Sequence, residues 1–389
     1  MKRILPFIYG TLLIAVGYSC ESNKSTTLAR IDQLTDSVKQ IYAPDGRVAL
    51  FKPEMSLVNG AWVLTGESDQ KEAIALYEAE LSELVMEFDG KIDLLPNESV
   101  GDLVYAQVNN SVSNLRSKNK HSSELASQAT LGTMLKMLKR TDEWYLVQSP
   151  DQYIAWVDHG GVVLKTAAEN AAWETSEKVI ITKNMTYAFN SMEKVDVISD
   201  VVLGNVLELV ATIGNEFKVK FPDGRIGFVS QNDAELFSIW EAKLVASGEL
   251  VETYARSMMG LPYLWGGTST KGADCSGFTK TVYFMNGMVI PRDASQQVNE
   301  GVEVDPDLKF EGLLKGDLMF FGKSATDSTR RRVTHVAIWL GNGDFIHASQ
   351  QVRMSSIEPN VSYFDEFNTN RYLGSRRYLL VDESDSTRL

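Results

Sequence analysis

Residues 272–278 read Gly272-Ala273-Asp274-Cys275-Ser276-Gly277-Phe278, and after them Phe278, Val282 and Met285 recur at helical spacing until Gly287 supplies a stop. Cys275 is thereby placed on the first turn of a helix, with Asp274 at or near the N-cap. Unpaired amides and the helix dipole favour negative charge at such a position, so the thiolate form is expected to be promoted. The same amides could donate to a tetrahedral oxyanion. A turn-rich lead-in, Pro262-Tyr263-Leu264-Trp265-Gly266-Gly267-Thr268, runs into the segment.

A thiolate needs a proton partner, and the chain has four histidines. His121 lies in a polar stretch and His159 in a His-Gly turn, and both read as surface residues. His335 lies in Val333-Thr334-His335-Val336-Ala337-Ile338-Trp339-Leu340-Gly341, a strand that follows the buried-type strand Gly316-Asp317-Leu318-Met319-Phe320-Phe321. Asn342-Gly343 then signals a hairpin into Phe345-Ile346-His347-Ala348-Ser349. Strand pairing can set His335 and His347 side by side, one as base and the other orienting it. Either alone would read as a packing or surface residue.

The composition is globular, 44% hydrophobic and 23% charged, and 389 residues exceed one ordinary core. A formal net charge of -13 argues against a nucleic-acid-binding surface. Lys2 and Arg3 precede an apolar run, residues 4–16, too short to span a bilayer and followed by Gly17-Tyr18-Ser19-Cys20 and a polar tether. This resembles a bacterial lipoprotein signal over residues 1–20, which implies lipidation of Cys20, export and a membrane anchor in the cell envelope. An ordinary cleaved signal with a chance cysteine is the alternative. Apart from Cys20, Cys275 is the chain's one cysteine, an unpaired thiol in a chain expected to be exported.

Residues 26–103 read as a mixed α/β segment, with strands near 48–65 and an amphipathic helix near 72–88. An internal repeat follows: Leu131-Gly132-Thr133-Met134-Leu135 parallels Leu203-Gly204-Asn205-Val206-Leu207, and Tyr153-Ile154-Ala155-Trp156-Val157 parallels Arg225-Ile226-Gly227-Phe228-Val229. Short strands between polar turns indicate two small β-barrels, 104–165 and 178–236, whose pattern resembles bacterial SH3-like domains. Residues 234–247 read as a helical connector into a catalytic domain, 245–381. The expected fold class is multidomain α+β.

Cys275 in "DCSGF", "GDLMFF", His335 in "THVAIWLG", His347 in "FIHAS", "YLWGG" and "PRDASQQ" together resemble the NlpC-type, papain-like cysteine peptidases acting on peptidoglycan. That resemblance implies Cys275 as nucleophile, His335 as base and His347 as its orienter, with no metal or other cofactor. With two SH3-like domains ahead, the architecture resembles γ-D-glutamyl-L-diamino-acid endopeptidases, whose substrates are muropeptides with a free N-terminal L-alanine. In such enzymes the first SH3-like domain closes one end of the cleft. Tyr153 then takes the place of an amine-contacting tyrosine, where the second repeat has Arg225. Asp274 is a candidate carboxylate for the ammonium, as are Glu124 and Asp293, while Ser276, Trp265 and Ser295 are further candidate contacts. Readings of Asp274 as a helix cap, Tyr153 as barrel packing and Glu124 as a surface acid stay open. So do an endolytic peptidase or amidase of the same fold and a non-catalytic wall-binding lipoprotein.

Overall fold

A computed structural model describes residues 12–85 and 87–379, with side chains from residue 25 onward. Residues 1–11 of the expected leader, and the Cys20 side chain, lie outside that description. The chain divides into two compact units, residues 1–98 and 99–389.

In the first unit a helix, Leu12–Tyr42, precedes the hairpin Phe51–Val58/Ala61–Ser68 and the helix Lys71–Leu84. Asn59 and Gly60, both at positive φ, make the two-residue turn that such a hairpin needs. Ala73, Tyr77 and Leu81, spaced to share one helix face, bury with Ile31, Val38, Phe51 and Leu64.

The second unit begins with two barrels. The first sheet runs, in spatial order, Val162–Lys165, Tyr105–Val108, Met134–Arg140, Trp144–Gln148, Ile154–Asp158, Val112–Arg116, Leu125–Thr130. The second runs Ala234–Leu236, Lys178–Ile181, Val206–Ile213, Glu216–Lys220, Ile226–Ser230, Met185–Phe189, Val197–Val202, the same order of equivalent strands. The repeat is therefore structural as well as sequential. One expectation fails here: Ala234–Leu236 is not helical but pairs with Lys178–Ile181, and the helix starts only at Phe237. The barrel's open edge supplies a hydrogen-bonding partner, which overrides the local helical preference.

The equivalent turns at Gly132 and Gly204, φ 88° and 79°, both serve as docking points. A Cβ on Gly132 would lie 2.1 Å from the Val206 carbonyl oxygen of the second barrel, and one on Gly204 would press the Phe284 ring at 3.1 Å. Phe284 ends the Cys275–Phe284 helix. That helix packs between the Gly248–Ser257 helix and an antiparallel sheet ordered Val302–Glu303, Tyr372–Arg377, Leu318–Lys323, Arg332–Gly341, Asp344–Ser349, Gln351–Ser356. Leu318 to Phe321 are buried on both faces, as a central strand between two apolar layers requires.

Lys271 ties the three bodies together, with Nζ 2.7 Å from Ser111 Oγ of the first barrel and 2.6 Å from Asp200 Oδ2 of the second. The first barrel also reaches the Cys275–Phe284 helix directly, through Asp151 Oδ2 at 3.0 Å from Lys280 Nζ. The Asp151 side chain is only 1% exposed. Burial alone would raise its pKa, but Lys280 and Ser149 hold it below the usual carboxylate value. Removing the cation strands that buried charge. Lys280→Met should therefore lower stability by roughly 3 kcal/mol in urea denaturation, and Asp151→Asn in the same chain should recover most of the loss. Equal losses in the single and double variants would show that the pair is not coupled.

Candidate active site

Asp274 caps the Cys275–Phe284 helix: its Oδ1 accepts from the Gly277 amide at 2.7 Å, and its Oδ2 from the Gly266 amide at 2.9 Å. Arg292, fully buried, donates to both oxygens, Nη1 to Oδ1 at 3.1 Å and Nη2 to Oδ2 at 2.6 Å. Nη1 also donates to Ser276 Oγ at 3.0 Å. Burial opposes the Arg292 charge, yet Asp274 outweighs it and raises the guanidinium pKa. The expected role of Asp274 as partner to a substrate ammonium thus meets a carboxylate that Arg292 already neutralises. Arg292, within "PRDASQQ", carries no sequence signal of this role, since no local pattern pairs it with a residue 18 positions away.

Cys275 is 8% exposed, and its sulfur accepts from the amides of Val336 and Ser276. Those amides favour a thiolate, but burial and then the Asp274 carboxylate push the thiol up to about 12. The promoted thiolate expected from the helix start is therefore outweighed by desolvation, which penalises any buried charge. The Val336 contact brings the nucleophile to the strand of His335 at the next residue along. Tyr263, which the sequence reading left without a role, lies close enough for Cys275 and Asp274 to raise its phenol further, after burial.

His335 Nε2 and His347 Nδ1 are 2.8 Å apart, with the ring centroids at 5.0 Å. Asn342 and Gly343, both at positive φ, make the predicted hairpin turn that returns the chain. Burial and then the Arg371 charge hold His335 down to about 4. Burial, His335 and Arg353 hold fully buried His347 well below the ordinary imidazole value. At rest the thiol and both imidazoles are thus held toward their neutral forms.

Tautomers follow from the hydrogen bonds. For His335 to receive a proton at Nδ1, its Nε2 must already bear hydrogen and donate to His347 Nδ1. His347 must then carry its own proton on Nε2, which needs an acceptor. Ser355 Oγ lies 3.1 Å from that nitrogen, and Asp365 Oδ2 lies 3.9 Å away. Arg353 Nε, at 3.4 Å, favours the opposite tautomer because a guanidinium only donates. Ser355 and Asp365 had no sequence signal of their own.

The first barrel walls one end of the lead-in loop. Trp265 Nε1 donates to Glu124 Oε1 at 2.7 Å, and Gln128 accepts through Oε1 from the Thr268 amide and the Ser269 hydroxyl, both at 3.0 Å. Two expected contact residues, Trp265 and Glu124, are thus partners. Tyr153 is 7% exposed within the barrel core, and its phenol acts on the Arg292 charge. Asp293 forms a capping box with Gln296 and lies 4.0 Å from Arg292. Ser295 is in the same short helix. Among the described residues no three His, Cys, Asp or Glu side chains group as metal ligands.

Residues 260–371 match the NlpC/P60 family, and residues 115–161 match the bacterial dipeptidyl-peptidase SH3 domain. The gamma-D-glutamyl-L-lysine dipeptidyl-peptidase of Bacillus cereus is 31% identical over 271 residues, which cover 67% of this chain and 77% of that protein. The chain belongs to the NlpC/P60 family. It is a cysteine peptidase of that family with SH3-like domains ahead of the catalytic one. The Bacillus subtilis protein of the same name is 31% identical over 227 residues, 58% of this chain and 72% of its own. An NlpC/P60 family crystal structure from Bacillus cereus superposes with a TM-score of 0.60 at 25% identity, covering 71% of this chain and all of the other.

For this NlpC/P60 site, Ser355→Ala should lower kcat about tenfold with KM little changed, as one lost hydrogen bond implies, and Ser355→Thr should restore it. His335 stays unprotonated, hence able to accept a proton, down to about pH 4. The acid limb of kcat/KM should accordingly fall well below 6.5, the ordinary imidazole value. A limb at or above that value would mean that His335 is not held neutral by its surroundings.

Proposed function

We propose that the chain hydrolyses the γ-D-glutamyl to L-diamino-acid bond of cell-wall muropeptides that carry a free N-terminal L-alanine. The observation that carries this reading is the wall built by Glu124 and Gln128 of the first barrel on Trp265 and Thr268 of the lead-in loop. A cleft closed at one end suits a short peptide held by its terminus and disfavours an internal cut in a long strand. Two relatives are named for this peptidase activity on γ-D-glutamyl-L-lysine.

In the reaction, Cys275 sulfur attacks the γ-carbonyl carbon as its proton passes to His335 Nδ1. The Cys275 amide, at the first helical position and so without an intrahelical acceptor, is suited to the developing oxyanion. Collapse breaks the C–N bond, and His335 returns the proton to the departing amine. Water then attacks the thioester, giving its proton to His335, and the acid product leaves as the thiol is restored. His347 holds His335 in the tautomer that makes each transfer possible.

A substrate ammonium buried at the wall must be paired, because an unpaired buried charge is several kcal/mol unfavourable. Glu124 is the favoured partner: it is exposed, and the neutral indole N–H of Trp265 that it accepts from does not compensate its charge. Tyr153, whose phenol acts on Arg292, offers a neutral acceptor, while Asp274 stays engaged with Arg292. Wild type should cleave L-Ala-γ-D-Glu-L-Lys and nearly ignore its N-acetylated form, Cys275→Ala should cleave neither, and Glu124→Gln should narrow the preference. Equal cleavage of both peptides by wild type would exclude an amine sensor.

Export and lipidation at Cys20 complete the proposal, supported by the basic start, short apolar run and polar tether of residues 1–24. Wild type should partition with membranes and Cys20→Ser should not. Wild type recovered wholly in the soluble fraction would remove the anchor.

A further inference from the structure

Two arginines flank the histidine pair. Arg353 stands opposite His347 in the strand register. Arg371 precedes the Tyr372–Arg377 strand, accepts at its carbonyl from the Gly322 amide, and donates through Nη2 to Thr334 Oγ1, on the residue before His335. The Phe367 ring, 70% exposed, lies 4.6 Å from the Arg371 guanidinium carbon and holds its plane. Two arginines of the domain are answered by acids, Arg292 by Asp274 and Arg377 by Asp317. Arg371 makes no ion pair within 4.0 Å among the described residues.

An unanswered cation beside a catalytic imidazole works against protonating it, which Arg371 does to His335 second only to burial. In a chain with net charge -13, supplying a carboxylate would have been easy. The position is explained if the carboxylate arrives with the substrate. The charges agree: an acid, Glu124, lies on the first barrel, and two cations, Arg353 and Arg371, lie by the histidine pair. A tripeptide with an ammonium at one end and a carboxylate at the other matches that polarity.

The geometry points to Arg371 as the anchor for the free α-carboxylate of the departing diamino acid, with Arg353 adding to the positive field. This rests on the substrate reading given above. The departing amine receives its proton from His335, so it stands beside that ring. Its α-carbon carries the carboxylate, which brings the anion toward Thr334 and the guanidinium. A planar guanidinium stacked on an aromatic ring is preorganised for two parallel bonds to such a group.

Cleavage of L-Ala-γ-D-Glu-L-Lys is compared with that of its C-terminal amide, at a pH well above 6.5 so that His335 is neutral throughout. Wild type should favour the free acid by roughly tenfold in kcat/KM, the worth of one charge-assisted contact. Arg371→Gln should bring that ratio close to one, and Arg371→Lys should keep part of it. Equal cleavage of acid and amide by wild type would overturn the assignment without any variant. An Arg371→Gln protein that loses both rates alike and keeps the ratio would also overturn it. If wild type leaves the γ-D-glutamyl bond of both peptides intact, the substrate reading itself falls, and the anchor with it.

Discussion

The site depends on one buried ion pair. Asp274 and Arg292 lie in low dielectric, where two isolated charges would be prohibitive, and they persist because each is answered by the other and by further hydrogen bonds. One carboxylate thereby does three structural jobs. It caps the nucleophile's helix through Gly277, pins the lead-in loop through Gly266, and holds the chain at Arg292 against Ser276. Cys275 is located by its neighbour's bonds more than by its own.

Dryness sets the proton chemistry. The sulfur sits at a helix start with two amides aimed at it, an arrangement that in water would favour the anion. Burial reverses the balance for thiol and imidazole alike and leaves both neutral at rest. Charge separation is then deferred until a carbonyl arrives, when the same amides and the histidine pair act on a developing rather than a standing charge.

Elements specified by contiguous residues were legible. The Cys275 helix, the Asn342-Gly343 hairpin that joins two histidine strands, and the doubled barrel each announce themselves through periodicity, a turn dipeptide or repetition. Pairings across distance were not. Nothing local tells that Trp265 meets Glu124, 141 residues earlier, or that Ser355 completes the histidine relay. Ala234–Leu236 was misread because a helical preference yields to an open sheet edge that only the folded barrel offers. The thiolate expectation erred for a related reason, since a helix start is visible in sequence and its depth of burial is not.

The doubled turn has a mechanical meaning. The first copy, at Gly132, abuts the second barrel, and the second copy, at Gly204, abuts the nucleophile's helix; Gln128 and Asp151 then join the first barrel back to the catalytic domain. Three bodies linked pairwise in a ring form a braced triangle. None of the three joints can swing without straining the other two. The separation between the first barrel and the nucleophile's helix is therefore held by all three joints at once.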